Sequence, residues 1–291
     1  MKPVFFFNGT DPAPSDQQRS DDGAAVVAAA TPRRDLAPGE PLPKSELDWN
    51  LDFIYARVFT AAHRMSARQW SGFLYLLDER FGFTQMCMDA GAGGGGIYVK
   101  RAMMEPTQLI AGVERKVPVL LCDKTLDSQR QVARGRFILN MFKRGDPGID
   151  SVWPDPTGSK SLSGDDLLKD ALLSSFREAC HQGVLHWPPE ADDYLRAHRE
   201  DVQGWGTERT WALKNLSGGS KQLTNIVVET VEKEGQMVQL FTSRGARRFS
   251  TVGKDDIAYA MMYAYAAFRV WLQGEEETPL PEEDQVGFCG S

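Results

Sequence analysis

Val4-Phe5-Phe6-Phe7-Asn8-Gly9-Thr10-Asp11-Pro12 is the stretch from which the fold is read. A four-residue apolar run closes in Asn-Gly-Thr-Asp-Pro. It reads as a buried strand that delivers Asp11 at its C-terminal end. Gly23 opens a second apolar run over 24–30, placed antiparallel to the first. Residues 51–60, LDFIYARVFT, alternate and are rich in β-branched and aromatic side chains, which makes a third strand. Three strands in succession form a meander. Between the second and third, residues 31–48 carry Pro32, Pro38, Pro41 and Pro43 and read as an excursion from the sheet.

Beyond the meander the pattern changes. Ser66 caps a helix over 67–81, where Trp70, Phe73, Leu74, Leu77 and Phe81 recur at helical spacing and Gly82 supplies the stop. A strand over 84–88 runs into Asp89 and the glycine-rich Ala90–Gly96. A helix over 97–104 and a strand over 117–122 follow. This alternation is of the parallel α/β kind. Further helices are expected over 128–144, 164–181, 190–199 and 218–231. A hairpin pairing 237–242 with 247–251 comes next. Lys254-Asp255-Asp256 then opens a nearly all-apolar helix. The expected fold class is α/β, with a mixed sheet flanked by helices: an antiparallel three-strand meander followed by parallel strands.

The chain has 291 residues, 42% hydrophobic and 25% charged, enough for one large core. No apolar run approaches the length that spans a bilayer, and the N-terminal one is too short for a signal peptide, so a soluble intracellular protein is expected, with no membrane partner. Cys87, Cys122, Cys180 and Cys289 lack zinc or disulfide spacing and read as reduced thiols. Net charge is −7, but residues 274–291 hold six acids and no base. The body is therefore close to neutral, and the tail reads as disordered. One domain over 1–273 is expected, with insertions at 31–48 and 123–160.

Three acids share one structural description. Asp11 and Asp89 end strands, and the pair Asp255 and Asp256 starts the last helix. Each has an ordinary reading: Asp before Pro is a common turn residue, and Asp at a helix start is a cap or a favourable charge on the dipole. The alternative is convergence on divalent cations. A two-ion centre, with ions about 3.5–4 Å apart, needs several carboxylates projecting from rigid elements. Other chemistries lack support. The run DAGAGGGG has neither phosphate-loop nor dinucleotide spacing, and TGSKS at 157–161 lacks the leading glycine. His63, His181, His186 and His198 show no ligand spacing. No nucleophile motif occurs.

The order of these features resembles the nuclease domain of the tailed-bacteriophage terminase large subunit, an RNase H-like fold. The resemblance rests on short motifs spread over 3–272: Asn8-Gly9-Thr10-Asp11-Pro12, Asp22-Gly23-Ala24-Ala25-Val26-Val27, Met88-Asp89-Ala90-Gly91-Ala92-Gly93, Gly183-Val184-Leu185-His186-Trp187-Pro188, Lys221-Gln222-Leu223 and Gly253-Lys254-Asp255-Asp256. It implies a metal-dependent endonuclease that cuts concatemeric double-stranded DNA during packaging in the cytoplasm of the infected host. It further implies Asp11, Asp89 and Asp255 or Asp256 as catalytic metal ligands for Mg2+ or Mn2+. The implied partners are an ATPase domain or subunit, the terminase small subunit and the portal. The family's ATPase phosphate loop is missing from this sequence, so the resemblance implies either the nuclease part of a longer protein or a separately encoded nuclease.

A nuclease must hold phosphates with cations. Arg244, Arg247, Arg248 and Lys254 cluster just before the acidic pair, with Lys160 and Lys221 as further DNA-binding candidates. Trp205 and Trp211 read as packing residues. Nothing resembles a base-reading helix, so cutting is expected to tolerate any sequence. Two rivals stand beside this reading: a non-catalytic module that docks DNA or the portal, and an enzyme that binds a nucleotide at 89–96.

Overall fold

In a computed structural model the protein is described over residues 2–13, 22–60, 63, 65–89, 96–117, 138–141, 152–153, 163–188, 190–199, 204, 206–224, 226–233, 236–243 and 256–274. The chain runs β1 (Phe5–Asp11), β2 (Gly23–Pro32), β3 (Trp49–Phe59), α1 (Ala67–Phe81), β4 (Gln85–Asp89), α2 (Gly96–Met103), β5 (Thr107–Ile110), β6 (Val113–Lys116), β7 (Ile138–Met141), α3 (Ser163–His181), β8 (Leu185–His186), α4 (Ala191–Ala197), α5 (Thr207–Thr224), β9 (Ile226–Lys233), β10 (Gln236–Ser243) and α6 (Asp256–Gly274).

The main sheet has the order β7-β4-β1-β2-β3-β8. β1, β2 and β3 form the expected antiparallel meander, and β4 and β7 extend it in parallel on the other side of β1. The two-residue β8 adds a parallel edge beside β3. The α/β class and the mixed sheet are therefore as expected.

Strand periodicity sorts the side chains onto two faces. On one, Phe7, Ala24, Val26, Trp49, Leu51 and Cys87 meet α3 and α6. On the other, Ala25, Val27, Met86 and Met88 meet α1 and α2. A bulge refines this division. Val27 pairs with Tyr55 and Ala28 with Phe53, which leaves Ile54 without an opposite number. The extra residue reverses the alternation, so Phe53 joins the α6 face and Tyr55 the α1 face.

α6 is the centre of the larger core. Every residue from Ile257 to Phe268 is buried, as an apolar helix laid across a sheet must be. Its C-terminal half enters an aromatic cluster in which Phe7 meets Phe268 at 5.5 Å and Trp49 meets Trp271 at 5.5 Å between ring centroids. Full burial of such side chains contributes roughly 1.5–3 kcal/mol each. α1 starts in a capping box. Ser66 Oγ accepts from Gln69 N at 3.3 Å, and Ser66 N donates to Gln69 Oε1 at 2.8 Å. Gly82, at φ +65°, closes the helix as read from sequence.

Two helix expectations are corrected. Residues 138–141, read as part of a helix, form β7 beside β4. They also lie within the segment 123–160 that was read as an insertion, so that segment contributes an edge strand to the main sheet. Residues 226–231, read as helical, form β9, which pairs with β10; residues 247–251, expected to pair with β10, lie outside the described residues. The misleading signal was the spacing of Leu223, Ile226, Val227 and Thr230. The β-branched run that follows loses side-chain freedom in a helix and fits a strand. An unforeseen hairpin, β5 with β6, lies across α1. Residues 118–122 of the strand expected over 117–122, and the tail beyond 274, lie outside the described residues.

The proline-rich excursion is tied to the fold at both ends. Arg33 donates to the carbonyl oxygens of Trp49 and Gly183 at 3.1 and 2.6 Å. Glu46 pairs with Arg269 of α6, and the Arg269 guanidinium also donates to the Tyr265 hydroxyl at 3.2 Å. Their side chains are only 15% and 26% exposed, respectively. Arg269→Ala is thus expected to strand a largely buried carboxylate and to cost about 3 kcal/mol, read as a lowered urea midpoint. A midpoint equal to that of the unaltered protein would show that water already compensates Glu46.

Candidate functional site

The acids are placed by the packing of α6 on β1. Phe7 and Gly9 face the helix, and Asp11 follows at the same two-residue spacing. Phe7 meets the helix at Phe268, and Gly9 meets it at Ala260, Tyr263 and Ala264. Moving along β1 towards Asp11 therefore moves along α6 towards its first residue, Asp256. Asp256 lies one turn before Ala260 and is only 6% exposed.

β4 brings the third acid. Thr10 pairs with Met88, so Asp11 and Asp89 leave two adjacent parallel strands at the same level. Cys87, two residues before Asp89, lies in the α6 core, which puts Asp89 on the same face as Asp11. Both are half-buried. The Tyr263 hydroxyl records their nearness. Burial above all, and then the charges of Asp11 and Asp89, hold its pKa well above the ordinary tyrosine value. One helix residue thus senses both strand-end carboxylates, and the positive end of that helix dipole lies on the same side of the sheet.

Asp22 is a fourth acid at this edge. Ala24 pairs with Asp11, and Asp22 stands two residues earlier, 5% exposed. The sequence places it in a turn-rich segment and at the head of the Asp22–Val27 motif of the resemblance. Its place two residues past the level of Asp11 comes from the pairing of β1 with β2.

Carboxylates of this kind suit hard divalent cations that take oxygen ligands. Among the described residues, no three acidic, cysteine or histidine side chains are grouped closely enough to hold a metal ion. Asp255 and the glycine-rich 90–95 lie outside the described residues, as does most of the nucleotide alternative at 89–96.

Of the cationic candidates, Arg244, Arg247, Arg248, Lys254 and Lys160 also lie outside the described residues. Lys221 is described and exposed near the end of α5. Its Nζ bonds Glu190 Oε1 at 2.5 Å, a contact that raises the lysine pKa and lowers that of the glutamate. Trp211, expected as a packing residue, is 48% exposed and lies under the Arg57 guanidinium at 4.5 Å from the ring centroid. Trp205 is outside the described residues.

A cavity of about 650 Å³ opens elsewhere, between β3, β8, α4 and α5. Its polar wall is engaged internally. Tyr55 donates to Glu208 at 3.1 Å, and Arg80 pairs with Glu208 at 3.1 Å. Among the described residues, no helix is long and apolar enough to cross a membrane. Comparison with protein-family models, with curated proteins and with solved structures gives no match.

Proposed function

We propose that the chain is an RNase H-like, metal-dependent endonuclease that hydrolyses phosphodiester bonds in double-stranded DNA with little sequence preference. The observation that carries this reading is that Asp11, Asp89 and Asp256 stand at element ends on one edge of the sheet. Two leave adjacent parallel strands at one level, and the third starts the helix docked over both. The strand order, with an antiparallel meander on one side of β1 and parallel strands on the other, supports the superfamily assignment.

In this reading Asp11, Asp89 and the Asp255–Asp256 pair hold Mg2+ or Mn2+. Bound ions of this type supply an activated water and neutralise charge at phosphorus. The chain's own part is to hold the carboxylates on rigid elements. Gly9 lets α6 sit directly on β1, and Tyr263 fills the space behind the strand ends without adding charge. The negative edge also repels a DNA backbone unless cations occupy it, so DNA binding and metal binding are coupled. The resemblance to the terminase nuclease suggests concatemeric phage DNA as substrate in the infected host's cytoplasm. The small subunit, the portal and an ATPase are the partners suggested on the same ground.

The test is supercoiled plasmid incubated with Mn2+, with Mg2+ and with EDTA. Nicked and linear products are expected with metal, and none are expected with EDTA. Intact plasmid under all three conditions, with DNA still bound, would replace the nuclease by a non-catalytic docking module.

A further inference from the structure

Arg57 of β3 is a half-buried cation held by aromatic rings rather than by an acid. Its guanidinium carbon lies 4.5 Å from the ring centroid of Trp211 on α5 and 5.6 Å from that of Phe59 on its own strand. Ring faces hold the plane of a guanidinium and leave its N–H edge unspent. Among the described residues, neither Arg57 nor the exposed Lys214 has a hydrogen-bonding or ionic partner.

These residues stand at the end of the sheet that carries the acids. Arg57 pairs with Ala25, and Ala25 with Thr10, one residue before Asp11. Two strand spacings, roughly 10 Å, therefore separate Arg57 from β1. Tyr55 and Phe59, two residues to either side, put Arg57 on the α1 face, opposite the acids. α5 joins the two faces. Ala212 packs in the core under α1, and Leu216, one turn later, in the core under α6. Between them Asn215 donates to the Ala56 carbonyl oxygen at 3.0 Å, so the helix crosses the outer edge of β3. Further on, Gly219 lies against Ile257 and Met261, and Gln222 Oε1 accepts from Ile257 N at 3.0 Å and from Ala258 N at 3.1 Å. Trp211 and Lys214 are exposed one turn apart on α5. The helix thus leads from the Arg57–Trp211 stack to the start of α6. Lys221, near its end, is spent on Glu190.

We propose that Arg57 and Lys214 grip the phosphate backbone of duplex DNA lying against the acidic edge, with Trp211 presenting the Arg57 guanidinium. The inference rests on the reading of DNA as substrate given above, and not on which carboxylates hold a cation. Phosphate is the chemistry that fits. A guanidinium held in a fixed plane offers parallel N–H donors to two phosphate oxygens. Cations without internal acids are the ones whose counterions DNA can replace. The acids repel an anionic backbone, so a duplex bound there needs cationic contacts beside them.

The experiment is fluorescence anisotropy of a short labelled duplex titrated with the full chain over a series of salt concentrations, once in EDTA and once with Ca2+. Arg57→Gln and Lys214→Gln are each expected to weaken binding roughly 3–10-fold and to reduce the slope of log K against log salt by about one, alike for any duplex sequence. Lys2→Gln removes a cation ahead of β1, at the opposite end of that strand from Asp11, and is expected to change neither quantity. Lys214 is exposed, so its variant serves if Arg57→Gln does not fold. Unchanged affinity and slope in both variants, with DNA bound by the unaltered protein, would overturn the grip alone. An equal loss in Lys2→Gln would reduce the effect to net charge and overturn it as well. No DNA binding by the unaltered protein in either buffer would overturn both the grip and the reading of DNA as substrate.

Discussion

Gly9→Ala is expected to destabilise the protein by at least about 3 kcal/mol, a large share of the 5–15 kcal/mol that separates a domain of this kind from its unfolded state. The reason is local and steric. A Cβ at this position would lie 2.0 Å from the Ala260 carbonyl oxygen and 2.2 Å from the Ala264 nitrogen. Both are backbone atoms inside α6, so no rotamer change relieves the clash. The helix must rise from the sheet, which opens the contacts of Phe7 with Phe268 and Trp271. Urea unfolding monitored by circular dichroism would measure the loss. A midpoint within error of the unaltered protein would mean that α6 does not sit on β1 as described. Any Gly9→Ala protein that folds should also bind Mn2+ more weakly, because lifting α6 carries Asp256 away from Asp11 and Asp89.

Asp89→Asn is expected to lower Mn2+-dependent DNA cutting on the order of 10³-fold while keeping the fold, since loss of a charged ligand forfeits several kcal/mol of transition-state stabilisation. Asparagine nearly matches aspartate in shape and can keep hydrogen bonds at the strand end. Removing one of two carboxylates on adjacent strands also relieves like-charge repulsion when no cation is present. The unfolding temperature in EDTA should therefore hold steady or rise. Plasmid cleavage rates with Mn2+, taken together with melting in EDTA, separate these effects. Cutting at the unaltered rate would remove Asp89 from the proposed machinery, whereas loss of cutting with a collapsed melting temperature would mark a structural role only.

Sequence reading succeeded where local chemistry and tertiary demand agree. The apolar run of β1, the Ser66 and Gly82 boundaries of α1 and the apolar α6 all give one signal at every level. It failed at one short segment claimed by a partner distant in sequence and at one strand whose partner follows directly. Ile138–Met141 has helix-compatible spacing, and its pairing with β4 decides otherwise. Ile226–Lys233 carried the β-branched composition of a strand, but Leu223, Ile226, Val227 and Thr230 at helical spacing masked it. The candidate acids were legible because they sit at element ends. Asp22 and Gln222 stand in motifs of the resemblance, but their places beside β1 and at the start of α6 became legible only with the sheet register and the α5–α6 contact.

By itself the sequence determined the strand-end and helix-start positions of Asp11, Asp89 and Asp256, because apolar periodicity and turn residues mark where elements stop. The tertiary structure alone decided that these ends share one edge. That depends on β4 joining β1 in parallel and on α6 lying tightly over Gly9. It also decided that the start of α6 is capped by Gln222, thirty-five residues away along the chain. Backbone hydrogen bonds and buried contacts between distant segments set these choices, and no local run of residues encodes them.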